Sequence, residues 1–169
     1  MSPARLPNRA MKKEITIPAP REEVWRVLST TEGAQSFFAP RANIRVELAG
    51  PYELFFDESL PVGSQGTEGM TVLSYLPERM VSFEWIAPLE FRELRAQKTW
   101  VVVYLDDGDE GQTVVRLAHL GWRVGAEWDR LFDYFLRAWD IVLGRLERRF
   151  THGPVDWQRP YYPPEKPKN

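Results

Sequence analysis

Residues 127–150 read EWDRLFDYFLRAWDIVLGRLERRF, and this stretch decides the fold. Trp128, Leu131, Phe132, Phe135, Trp139, Val142, Leu143, Leu146 and Phe150 recur at the spacing of one helix face. Arg137, Asp140, Arg145, Glu147 and Arg148 fall on the other face. At about 1.5 Å per residue the helix is ~36 Å long. A stripe of that length needs one equally long apolar surface to cover it. The segment before it, RLAHLGWRVGA at 116–126, supplies a strand and a glycine corner that leads into the helix.

Upstream, short segments alternate with period two. In KKEITIPAP (12–20), Ile15 and Ile17 alternate with Glu14 and Thr16, a half-buried strand closed by prolines. PREEVWRVLST (20–30) follows as a helix, with Glu22 and Glu23 in its first turn where the helix dipole favours acids. TEGAQSFF (31–38) reads as a second short helix or turn. ANIRVELAG (42–50) predicts a two-faced strand through Ile44, Val46 and Leu48. PYELFFD (51–57) puts Tyr52, Leu54 and Phe56 on one side. EGMTVLSYL (68–76) and RMVSFEWIA (79–87) are further strands, and the second turns Val81, Phe83 and Trp85 one way. Residues 98–122 form a hairpin around the acidic turn DDGDEG. Strands followed by one long helix predict an α+β domain, a curved antiparallel sheet gripping the C-terminal helix with room for a hollow between them.

Composition narrows the function classes. The chain has 169 residues, enough for one domain, with the apolar (43%) and charged (27%) shares of an ordinary globular protein. A net charge of −2 offers no footprint for nucleic acid. No apolar run approaches the ~20 residues of a membrane span. MSPARLPNRAMKKE lacks the apolar stretch of a signal peptide, so a cytoplasmic protein is expected. Cysteine is absent, which removes disulfides and thiolate metal sites. Residues 1–10 read as an N-terminal extension and 11–152 as the domain. Residues 153–169 read as a proline-rich strap that packs through Trp157, Tyr161 and Tyr162, its last residues frayed.

Several stretches carry a family likeness: IPAPREEVWRVLSTTEG (17–33), GPYELFF (50–56), YLPERMVSFEW (75–85), VRLAHLGW (115–122) and the helix through to GPVDW (153–157). Together and in this order they resemble the START-like (SRPBCC, Bet v 1-like) superfamily. Within it the likeness is to the bacterial proteins named for the activator of heat-shock protein 90 ATPase. The resemblance implies a helix-grip fold, with two short helices after the first strand. It also implies a hollow between sheet and helix that different members use differently.

Candidate ligand contacts follow from the faces. Phe83, Trp85, Leu117, His119, Phe135 and Trp139 are expected to line the space between sheet and long helix. His119 admits three readings: a neutral core imidazole bonded to a carbonyl or hydroxyl, a polar contact orienting a ligand, or a general base. GSQGTEG (63–69) lacks the Gly-Lys-Ser/Thr ending of a phosphate loop and reads as a mobile loop at the cavity rim. DDGDEG lacks the spacing of a calcium loop, and two histidines without cysteine argue against zinc. Asp129 and Asp133 are expected to cap the helix or pair with Arg130 or Arg137. No catalytic residue, metal ligand or cofactor is assigned. The leading expectation is binding of a small hydrophobic molecule. A polyketide cyclase or dehydratase-like enzyme using the same cavity comes second. A chaperone-regulating interaction domain ranks last, because the chaperone activators place such a domain beside a second one.

Overall fold

The computed structural model describes residues 9–159. Tyr161, Tyr162 and the end of the expected strap lie outside the described residues. β1 (Met11–Ile17) leads into α1 (Arg21–Ser29) and α2 (Thr31–Gln35). Next come β2 (Arg41–Ile44), β3 (Tyr52–Phe55), β4 (Val72–Leu76) and β5 (Met80–Trp85). A 3-10 segment at Leu89–Leu94 precedes β6 (Thr99–Asp107) and β7 (Thr113–Leu120), and α3 (Ala126–His152) closes the order. Five strands form one antiparallel sheet in the order β1-β7-β6-β5-β4, and β2 pairs with β3. The two sheets are joined where Val72 N–H donates to Gly50 O and Tyr52 N–H to Met70 O. This is the helix-grip architecture: a curved antiparallel sheet wrapped on a long C-terminal helix.

Alternation explains the buried face. Val81, Phe83 and Trp85 of β5, Val101, Val103 and Leu105 of β6, and Val115, Leu117 and His119 of β7 are all buried. Against them α3 buries Trp128, Leu131, Phe135, Trp139, Leu143 and Leu146. The outer face is less polar than alternation alone requires, with Trp100 and Tyr104 of β6 and Leu73, Tyr75 and Leu76 of β4 exposed. Between β7 and α3 the chain turns at Gly121, whose φ of +92° any side chain would strain. A Cβ there would also fall 2.9 Å from the Trp100 ring.

Two expectations need correction. The strand expected over 42–50 stops at Ile44, because hydrogen bonds from Glu47 N–H to Arg45 O and Gly50 N–H to Glu47 O close a turn. Leu48 is therefore 74% exposed rather than inward. Phe56 keeps to the side of Tyr52, its ring 6.4 Å from that of Trp85 and 6.5 Å from that of Phe38, while Phe55 is buried as well. Asp129 pairs with Arg9 at 3.0 Å, and Arg130 reaches Glu127.

Candidate ligand cleft

Sheet and helix do not touch along their whole length. Where β5 ends and α3 begins its second half, a cleft of about 370 Å³ remains. Its floor is aromatic: Trp85 lies 5.0 Å from Trp139 and stacks on Phe38 at 5.9 Å, and Phe135 stacks on Trp139 at 6.2 Å, centroid to centroid. Each ring has a local reason to be there. Trp85 is the last inward position of β5, and Phe135 and Trp139 are one helical turn apart on α3. Phe38 is brought in by α2, whose first turn is held by Gly33 N–H donating to Thr30 Oγ1.

One wall is the segment 56–67. The Glu68 carboxylate accepts from the backbone N–H of Gly63, Gln65 and Gly66, which rolls the segment into a compact loop. Gly66 is required, since a Cβ would fall 1.9 Å from Leu54 O. Arg95 ties this loop to the facing segment by donating to Ala87 O at 2.6 Å, Gly63 O at 3.2 Å and Gly66 O at 3.3 Å. The 63–69 stretch does reach the rim, and it does so as a hydrogen-bonded structure.

Of the six expected lining residues, the structure brings Trp85, Phe135 and Trp139 to the cleft. Phe83 and Leu117 border a separate space of about 10 Å³ deeper between sheet and helix, room for a single water at most. His119 lines neither space. It lies behind the cleft wall, fully buried, at 5.1 Å from the Phe135 ring and 5.9 Å from that of Trp139.

The His119 ring has a partner on each nitrogen. The Trp139 indole N–H donates to Nδ1 at 3.1 Å, so Nδ1 is the bare nitrogen. Nε2 therefore carries the proton and donates to Thr99 Oγ1 at 2.8 Å. The backbone carbonyl of His119 accepts from the Trp122 indole at 2.8 Å. Burial pushes the imidazole pKa down to about 3, so the ring is neutral near pH 7. A neutral, doubly bonded ring away from the cleft has the geometry of a core histidine. It lacks the access a general base requires.

The cleft residues that the spacing of apolar residues missed include Phe38, Tyr134, Arg95 and Arg145. The apolar spacing puts Arg145 on the polar face of the helix, and the structure puts it at the cleft. It sits three residues after Val142 and four after Ile141, both on the cleft, so its stem follows the same strip. Its guanidinium is half-buried and stands 5.3 Å over the Trp157 ring. Trp157 is itself fixed by donating to Gln35 O at 2.6 Å. The Trp85 indole N–H is buried and has no hydrogen-bond partner among the described residues. Among the described residues no three His, Asp or Glu side chains converge in a way that could hold a metal ion. No described helix is long and apolar enough to cross a membrane.

Solved structures share this architecture. A protein from Mesorhizobium loti aligns with a TM-score of 0.69 at 16% identity, covering 87% of this chain and 100% of that one. The solution structure of the Aha1 dimer from Colwellia psychrerythraea aligns at 0.65 and 17% identity, covering 86% and 98%. CalU16 from Micromonospora echinospora aligns at 0.60 and 18%, covering 90% and 81%. At these identities the likeness is one of fold. No curated protein matches the chain in sequence. The family model for activator of Hsp90 ATPase homolog 1-like protein matches residues 18–151, and the chain belongs to that family.

Proposed function

We propose that the protein binds a small, predominantly apolar molecule in the cleft between β5, the 56–67 loop and α3. The observation that carries this reading is a cleft of about 370 Å³ floored by Phe38, Trp85, Phe135 and Trp139. Ligand sites of about 300–1,000 Å³ with such linings hold small molecules chiefly by apolar burial. Family membership adds support, because the helix-grip fold carries its hollow in this place. The cyclase or dehydratase reading would use the same cleft to hold a reactive chain in a productive shape, without His119, which does not line it. The chaperone-regulating reading takes its support from the family description alone.

Native mass spectrometry of the freshly purified protein tests the proposal. The expected result is a native mass exceeding the denatured mass by a few hundred daltons, or an equimolar adduct with added N-phenylnaphthylamine. Identical masses and no adduct at saturating probe would overturn it.

A further inference from the structure

The floor of the cleft holds a hydrogen-bond donor that the described residues do not use. We propose that the occupant of the cleft is an apolar molecule carrying an acceptor oxygen, as a ketone, ester or ether does, and that the Trp85 indole N–H recognises this oxygen. This selection rests on the cleft being a ligand site and adds the chemistry by which that site tells one apolar molecule from another.

Other indoles of the domain are paired. That of Trp122 donates to His119 O at 2.8 Å, that of Trp139 to His119 Nδ1 at 3.1 Å, and that of Trp157 to Gln35 O at 2.6 Å. Trp85 is 4% exposed, its Nε1 is buried, and no group among the described residues accepts from it. Nearly all buried donors in folded proteins have a partner, and one left without an acceptor is costly. The Trp85 ring belongs to the cleft floor, in contact with Phe38 and Trp139. An acceptor on the ligand is the pairing that the fold leaves open.

Acceptors already on the cleft wall are engaged elsewhere. Gln65 Oε1 accepts from Arg41, and the Thr67 hydroxyl oxygen accepts from Leu54 N–H at 2.9 Å. The carbonyls of Ala87 and Gly66 accept from Arg95. Asp57 accepts from the Ser59 N–H and hydroxyl. A ligand that brings only a further donor, or no polar atom, leaves Trp85 unpaired and is disfavoured for that reason.

The N–H has no open approach in the structure, so an acceptor reaches it when a neighbouring ring turns aside. Phe38, Phe83, Phe135 and Trp139 are buried and held by packing. Phe56 is 42% exposed, lines the cleft, and stands at 69° to the Trp85 ring, 6.4 Å away. Exposed side chains change rotamer within nanoseconds, so Phe56 is the ring that yields.

Two neutral naphthalene dyes of nearly the same shape test it: prodan, which carries a ketone, and its analogue with that ketone reduced to a methylene group. Fluorescence titration of the full chain gives their affinity ratio. Proton–nitrogen correlation spectra of the labelled protein follow the Trp85 indole resonance. The expected result is a downfield shift of that resonance with prodan and not with the analogue. The preference for prodan over the analogue should fall about tenfold in Trp85→Phe. With either dye bound, an indole resonance that prodan leaves unmoved, or an affinity ratio that Trp85→Phe does not change, overturns the acceptor proposal and leaves the binding proposal standing. Failure of both dyes to bind at saturating concentration overturns the two together. The spectra need no variant, so the test survives even if Trp85→Phe does not fold.

Discussion

At the scale of the residue, His119 is held on both ring nitrogens and at its backbone carbonyl. Its ring joins three elements: it donates to Thr99 on β6, accepts from Trp139 on α3, and belongs to β7. Trp139 is part of the cleft floor, so His119 helps set where that indole stands. The pH consequence has a definite sign. The folded-state pKa of about 3 lies below the ordinary 6.5, so the neutral ring contributes stability that is complete above about pH 6.5 and is lost as pH falls towards 3. Within that window one proton changes stability by up to about 1.4 kcal/mol per pH unit. In His119→Phe that contribution disappears, so its urea-unfolding midpoint should depend less steeply on pH between 6.5 and 4 than that of the parent. At pH 7 the same variant should be less stable by about 1–3 kcal/mol for each buried partner left unsatisfied, Thr99 and Trp139. An unchanged pH slope would mean the ring is not held neutral. The period-two pattern of residues 113–120 was enough to point His119 inward. Its partners were not legible, because both lie 20 positions away in sequence and meet it only through the register of β6 and the seat of α3.

At the scale of the element, α3 and the β6–β7 hairpin were readable because their apolar spacing runs long enough to leave one interpretation. β2 was not. Its alternation runs on through Leu48, yet the chain turns back after Ile44 to pair with Tyr52–Phe55. The hydrogen bonds that stop it join backbone groups, and its one mark in the sequence is Gly50 before Pro51, where a Cβ would fall 2.3 Å from Arg45 O. Arg145 was misassigned for a related reason: a helix has a margin as well as two faces, and a long cationic stem at the margin can follow the apolar strip with its head at the rim. The 56–67 loop shows the same limit, since the tie supplied by Arg95 crosses some 30 residues of sequence. Arg95→Ala removes the donor of three backbone carbonyls at once. Amide hydrogen exchange at residues 63–66 should accelerate by roughly tenfold or more while α3 exchange is little changed. Uniform acceleration across the chain would show instead that Arg95 supports the whole domain and not the loop.

At the scale of the whole molecule, a long helix laid on a twisted sheet packs closely where strands and helix run together and parts from the sheet where they diverge. The sequence announced the helix, the sheet and a hollow between them. It could not say which end would stay filled. In the structure Phe83 and Leu117 close the space along the middle of the sheet, and Trp85, at the end of β5, floors the part that stays open. The cleft is thus a product of strand length and helix position, which only the assembled domain defines. The most direct test is a fluorescence titration of N-phenylnaphthylamine into the parent and into Ala138→Phe, which plugs the cleft from α3. The account predicts saturable binding at one site in the parent, with affinity reduced about tenfold or more in a folded Ala138→Phe. Absence of saturable binding, or equal affinity in a folded plugged variant, would contradict it.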